Sequence, residues 1–298
     1  KSDSQIFPIL QDRIGVLALL AFAAIAVPLF AREYWINAIL IPFLIFSLAA
    51  LGLNFLTGYA GQLSLGSAAF MAVGAFASYN FMLRIEGMPI LVAFILGGVC
   101  AAMVGIVFGL PSLRIRGFYL AASTLATQFF VVWCLTKVPW FTNNSSSGVI
   151  TAQQIEILGF KFDSPQEKYL LVLGIVAVMA LMAKNMVRST VGRSWMAVRD
   201  MDVAAQVIGF RLMRTKLLAF AISGFYLGVA GALWAFTYLG TVEPHGFDLT
   251  RSFQVLFIII IGGMGSFWGT LAGAMLLFSF VVLLSLALLK RQRSPGLP

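Results

Sequence analysis

A chain of 298 residues that is 60% hydrophobic and only 10% charged, with a mean hydropathy of +0.96, is not built for water, since soluble domains carry about a quarter charged residues. Its net charge of +9 would suit nucleic acid only if the cations shared one surface, and they are dispersed among apolar runs. The pattern reads as one helical membrane domain over 1–298.

A hydrocarbon core about 30 Å thick takes roughly 20 apolar residues as a helix. In chain order the runs 14–31, 35–56, 63–83, 89–110, 118–135, 169–187, 217–239 and 267–289 meet that length, and Lys184, near the end of 169–187, is the one charged residue they contain. The run 253–261 is too short to cross and predicts a re-entrant half-helix, because a lone strand in lipid would leave its backbone unpaired. The expected fold is therefore an all-α integral membrane protein with about eight transmembrane helices, one re-entrant half-helix and a short cytoplasmic helix between spans.

With the N-terminus inside and one crossing per run, fourteen of the 20 Lys and Arg fall on the inner side, six of them at Arg188, Arg193, Arg199, Arg211, Arg214 and Lys216. The outer side keeps Arg32, Arg84, Lys137, Lys161, Lys168 and Arg251. This is the bias of the positive-inside rule, so the basic excess reports topology and no nucleic-acid partner. The same rule puts the KRQR tail at 290–293 inside if 253–261 dips and returns. No short apolar stretch with a small-residue cleavage site precedes Ile14, which predicts no cleaved leader.

Two hydrophilic stretches interrupt the runs. Residues 137–168 cluster Asn, Ser and Gly before short alternating segments, which predicts an outer, periplasmic loop with a small hairpin; Asn144-Ser145-Ser146 matches a glycosylation acceptor pattern. Residues 188–216 face inward. There Ala197, Met201, Ala204, Ala205 and Ile208 recur at helical spacing as a small apolar stripe, with Arg199, Asp202 and Gln206 on another face and Gly192 and Gly209 as punctuation. This predicts one short amphipathic helix.

Gly97, Ala101, Gly105 and Gly109 fall four apart, as do Gly224 and Gly228, and Gly265, Gly269 and Gly273; such spacing lets helices pack closely, within the chain or against another subunit. Two segments, TGYAGQLSLGSAAF at 57–70 and GGMGSFWG at 262–269, break apolar helices with glycine and small polar residues, one in each half. Paired broken segments point to a translocation path, with Asn54, Gln62, Ser64, Ser67, Gly262, Gly263, Gly265 and Ser266 as its candidate lining.

Catalytic chemistry is sparse. The single His245 sits in an outer turn, Cys100 and Cys134 read as small packing residues, and no phosphate loop, metal-ligand spacing or cofactor motif occurs. Apart from Lys184 at a span end, the polar side chains of the spans are neutral, Thr124, Thr127 and Gln128 among them, which speaks against ion-coupled transport. A passage opened by energy from elsewhere and an autonomous channel both remain compatible.

The run LGLNFLTGYAGQLSLGSAAFMAVGAF at 51–76 closely resembles the signature of LivM-type permeases of branched-chain amino-acid ABC importers. GRSWMAVRDMDVAAQVIGF followed by KLLAFAISGFYLGVAGALWA, PSLRIRGFYLAASTLA and IIGGMGSFWGTLAGA are similar to further blocks of that family, in the same order over most of the chain. The resemblance implies a multi-pass protein of the bacterial inner membrane without its own ATPase site. It implies four kinds of neighbour: a second, LivH-type permease, two ABC ATPase subunits, a periplasmic substrate-binding protein, and membrane lipid. It makes 188–216 the coupling segment, with Arg193, Arg199, Asp200, Ala204, Ala205 and Gly209 forming or shaping the ATPase contact. The substrate it implies is a branched-chain amino acid; related permeases carry urea, sugars or other small polar solutes. Family members continue past GTLAGAMLL through a polar break and a further apolar helix, whereas here the run leads straight into KRQRSPGLP.

Overall fold

The computed structural model describes residues 10–112, 118–143, 149–153, 155–157, 160–162 and 164–293. Lys1, Arg114, Arg116 and the Asn144-Ser145-Ser146 pattern lie outside the described residues.

The chain is an all-α membrane protein. Helix α1 (Leu10–Phe30) is followed by a rod in which α2 (Glu33–Trp35), a wider π-turned stretch (Ile36–Leu40), α3 (Ile41–Asn54) and a second π stretch (Phe55–Tyr59) run end to end. After a non-helical break at 60–66 come α4 (Ser67–Arg84), α5 (Ile90–Ser112) and α6 (Phe118–Lys137). Then follow α7 (Pro165–Arg188), α8 (Thr190–Asp200), α9 (Asp202–Val207), α10 (Leu212–Leu233) with a π extension to Leu239, α11 (Leu249–Gly262) and α12 (Phe267–Arg293). Ser164 starts α7 with a reciprocal capping box, its hydroxyl accepting from the Glu167 amide.

Among the described residues five helices are each long and apolar enough to cross a membrane, Glu33–Tyr59, Ile90–Pro111, Tyr119–Lys137, Pro165–Arg188 and Leu212–Leu239, and the bent pair Pro244–Gly262 with Phe267–Phe280 makes a sixth if it is one span. The expected spans 14–31 and 63–83 are helical in α1 and α4 but do not meet that measure alone. For α4 the reason is its surroundings. It packs against α5, α6, α10 and α11, and twelve of its residues are buried, so protein rather than lipid meets Ser67 and Ser78. Its first expected residues, 63–66, belong to the break instead.

The glycine spacings serve packing within the chain. A Cβ on Gly74 would run into the backbone of Gly228, one on Gly224 into that of Ala101, and one on Gly262 into that of Gly269, so α4, α5 and α10, and likewise α11 and α12, meet backbone to backbone. The outer loop forms only two-residue strands: Ile150–Thr151 pairs antiparallel with Thr241–Val242, and Glu156–Ile157 with Phe160–Lys161 as the expected hairpin.

The run 253–261 lies inside α11, which is bent by 118° from α12 across a four-residue break. Helix α12 then runs back along α3: Thr270 meets Asn54 near the end of α3, and Phe278 packs on Phe43 and Phe46 nearer its start. Its 27 residues, about 40 Å, carry backbone 290–293 toward the end of the bundle where α2 begins. The charge pattern placed that tail at the opposite end; the direction of α12 replaces that reading.

The single amphipathic helix expected in 188–216 is two helices. Met201 has extended backbone (φ −150°, ψ 94°) and divides α8 from α9, so the apolar stripe is interrupted.

Candidate functional site

The two breaks meet. Asn54, buried at the end of α3, donates from Nδ2 to the Ser266 carbonyl at 3.1 Å and to Thr270 Oγ1 at 2.8 Å, while its Oδ1 accepts from the Gly265 amide at 2.9 Å. One amide side chain thus satisfies both faces of the turn between α11 and α12, whose Gly263 and Gly265 have φ of 95° and 79°. Gly58 lies against that turn; a Cβ there would collide with Asn54 Oδ1 and the Gly265 amide.

The other end of the first break is a polar cap for α4. Inside a membrane protein the first amides of a helix have no water to meet. They find side chains: Leu65 donates to Thr124 Oγ1 (3.0 Å), Ala68 to Ser252 Oγ (2.9 Å) and Ala69 to Gln128 Oε1 (2.6 Å). Gln128 Nε2 in turn donates to the Phe247 carbonyl (2.9 Å), and Ser67 Oγ to that of Ser252 (3.5 Å). Between these ends Thr57 Oγ1 donates to the Gln62 carbonyl at 3.2 Å, and Gln62 Oε1 is buried with no hydrogen-bond partner.

The expected path residues are therefore sorted into two groups. Asn54, Gly265 and Ser266 touch, with Gly262 and Gly263 leading into the same turn. Gln62, Ser64 and Ser67 are buried, and Ser67 faces α11 and α6 rather than the second break. Sequence reasoning noted Thr124 and Gln128 only as neutral span residues; their spacing of four, one face of α6, is the signal that they act together. It missed Ser252 and Thr270, which carried no such mark.

It also set Arg251 aside as an outer charge. The guanidinium is half-buried in the first turn of α11, donates to Gln254 Oε1 at 2.9 Å, and lies 5.0 and 5.9 Å from the ring centroids of Trp234 and Phe46. Beside it the buried indole N–H of Trp234 has no acceptor. A cation at a helix N-terminus opposes the helix dipole, and these contacts are neutral.

Helices α8 and α9 join this junction through Arg199. Its Nη1 donates to the Gly58 carbonyl at 2.9 Å and its Nε to Asp200 Oδ1 at 2.9 Å, and its aliphatic part lies against Gly61 (φ 68°). Arg193, Asp200, Ala204 and Gly209 are exposed, whereas Ala205 is buried in its own chain, its carbonyl accepting from Phe210 at 2.9 Å. Trp195 anchors α8 internally through the Thr215 carbonyl (3.0 Å). Four large apolar side chains of the elbow are also exposed: Met201, Val203, Val207 (85% exposed) and Ile208 (77% exposed).

Among the described residues no three His, Cys, Asp or Glu are grouped to hold a metal, and the junction contains neutral donors and acceptors, two arginines and the Asp200 carboxylate paired with Arg199. A helical membrane protein with two apposed, hydrogen-bonded helix breaks and an external elbow bonded to them has the build of a transporter's membrane subunit. The chain belongs to the family of permease components of branched-chain amino acid transport systems, whose model matches residues 35–293. It is 30% identical over 290 residues, 90% of this chain and 67% of the relative, to the high-affinity branched-chain amino acid transport system permease protein LivM of Escherichia coli. Identity to LivM of Salmonella typhimurium is 30% over 257 residues, covering 78% of this chain and 60% of that protein. A probable LivM of Methanocaldococcus jannaschii is 23% identical over 88% of this chain and 85% of its own length. The chain thus spans about two thirds or less of the two bacterial relatives. No solved structure matches it.

Proposed function

We propose that this chain is the permease subunit of a bacterial ABC importer that moves branched-chain amino acids across the inner membrane, with ATP hydrolysed by partner subunits. The observation that carries the reading is the Arg199 bond, which ties an exposed apolar elbow to both helix breaks. Two ATPase subunits would seat on the α8–α9 elbow on the cytoplasmic side, a second related permease would complete the path, and a periplasmic binding protein would deliver substrate. In this reading α8 and α9 are cytoplasmic and the 150–242 strand pair periplasmic.

Apart from Arg251 the path is lined by uncharged groups, which hold a zwitterion at little cost in confined charge. Arg251 and the Trp234 indole N–H supply donors for the carboxylate, and the apolar walls accept a branched side chain. The test is uptake of labelled leucine into proteoliposomes containing this chain, its partner permease, the ATPases and the binding protein. ATP-dependent uptake that leucine, isoleucine and valine compete for and urea or glucose does not is the expected result. Uptake by this chain alone, or driven by an ion gradient, would contradict the proposal.

A further inference from the structure

Between α4, α5 and α6 lies a cleft with a volume near 620 Å³, separate from the junction of the two breaks. Its walls are apolar, from Val73 and Phe76 on α4, Met103 and Phe108 on α5, and Phe130 and Val131 on α6; both cysteines, Cys100 and Cys134, line it. Along α4 the lining runs from Val73 to Arg84, twelve residues or roughly 16 Å of helix, close to one leaflet's half of a hydrocarbon core about 30 Å thick.

Two polar groups mark one end only. Arg84 stands at the mouth, its guanidinium 3.6 Å from the centroid of the Trp140 ring and donating from Nη2 to the Trp140 carbonyl at 3.0 Å. These contacts fix the guanidinium in place and leave other N–H donors free for an anion. One turn deeper, Asn80 is 6% exposed and lines the same cleft. Its Nδ2 donates to the carbonyls of Phe76 (2.8 Å) and Phe141 (3.1 Å), which orients the amide, and its Oδ1 is left without a donor. An exposed cation above an unsatisfied acceptor, over an apolar groove of leaflet length, is complementary to an anionic headgroup with a hydroxyl hydrogen and an acyl chain.

We propose that this cleft is a binding site for one anionic glycerophospholipid, with an acyl chain between α4, α5 and α6. The phosphate sits on Arg84, and the headgroup hydroxyl supplies Asn80 Oδ1. The bound lipid fills the space beside α4, the helix that follows the first break, and so supports its position.

The full chain purified in detergent and titrated with dioleoylphosphatidylglycerol tests this by native mass spectrometry. The expected result is one tightly retained lipid, bound about tenfold better than dioleoylglycerol and not displaced by inorganic phosphate. Cys134→Trp, which fills the groove, should lower occupancy about tenfold, and Cys134→Ala should keep it. Arg84→Gln should remove the preference for phosphatidylglycerol over dioleoylglycerol, an effect readable even if the tryptophan variant does not fold. Wild-type occupancy and preference in all three variants would overturn the assignment, as would competition by inorganic phosphate. So would protection of Cys134 from N-ethylmaleimide by a partner subunit and not by phosphatidylglycerol.

Discussion

The Arg199 guanidinium and the Gly58 carbonyl are 141 residues apart in sequence and 2.9 Å apart in space. Gly58 in turn touches the turn at Gly265, so one side chain on the external elbow reaches both helix breaks. In the proposed function this contact would carry a shift of α8 to the breaks, and its loss should separate docking from transport. Arg199→Ala is expected to reduce ATP-driven uptake about tenfold or more while ATPase co-purification stays within about twofold. Loss of both together would make Arg199 a docking residue instead.

Docking itself should rest on the exposed aliphatic residues beyond Met201. Burying a Val or Ile side chain contributes about 1.5–3 kcal/mol, so Val207→Asp with Ile208→Asp should weaken ATPase association by more than tenfold. Ala204→Trp, at an exposed position, should do the same with the permease still inserted. Ala205→Trp differs: the site is buried, and the variant should lower the yield of folded permease before any binding is measured. Pull-down of the ATPase, normalised to inserted permease, distinguishes these outcomes.

Asn54 makes three hydrogen bonds to the second break. Asn54→Leu keeps the volume approximately and strands the Gly265 amide, a loss on the order of 2 kcal/mol for a buried unpaired group. A lower midpoint of thermal unfolding in detergent is expected, together with increased proteolysis at 262–266. An unchanged midpoint would show that the breaks are held by glycine packing alone.

Arg251→Gln removes the half-buried cation near Trp234 and Phe46 while keeping hydrogen-bond donors. If the guanidinium meets the substrate carboxylate, the KM for leucine uptake should rise about tenfold with ATPase assembly unaltered. A change confined to assembly or insertion would assign Arg251 a packing role.

Much of this arrangement was legible in the residues, for reasons of scale. Helices in lipid must bury every backbone polar group internally, so twenty-residue apolar runs and the glycine interruptions between them announce themselves. The breaks at 57–70 and 262–269 were recognisable because their glycines cluster with Ser or Thr and interrupt apolar runs. The direction of α12 was not legible, because charge counting treats each run as crossing or not crossing, whereas α11 is bent by 118° from its successor. Nor was the division of α8 from α9: periodicity through Ala197, Met201 and Ala205 continues across the extended backbone at Met201. Partners such as Ser252 and Thr270 become visible only when distant helices are brought together. Arg251 was hidden by its position at the end of an apolar run, where a charge reads as a solvated flank.

The central claim is that the two breaks form the moving wall of a path controlled from the elbow. On a background with Cys100 and Cys134 replaced by Ala, Ser64→Cys and Ser266→Cys can be challenged with a small water-soluble thiol reagent in the assembled transporter. Ser64 is buried, whereas Ser266 is exposed. The account predicts that Ser266→Cys reacts at rest, and that Ser64→Cys reacts only during ATP turnover and is protected by leucine. A Ser64→Cys thiol that stays unreactive throughout turnover, in a transporter that still moves leucine, would contradict it and place the path elsewhere.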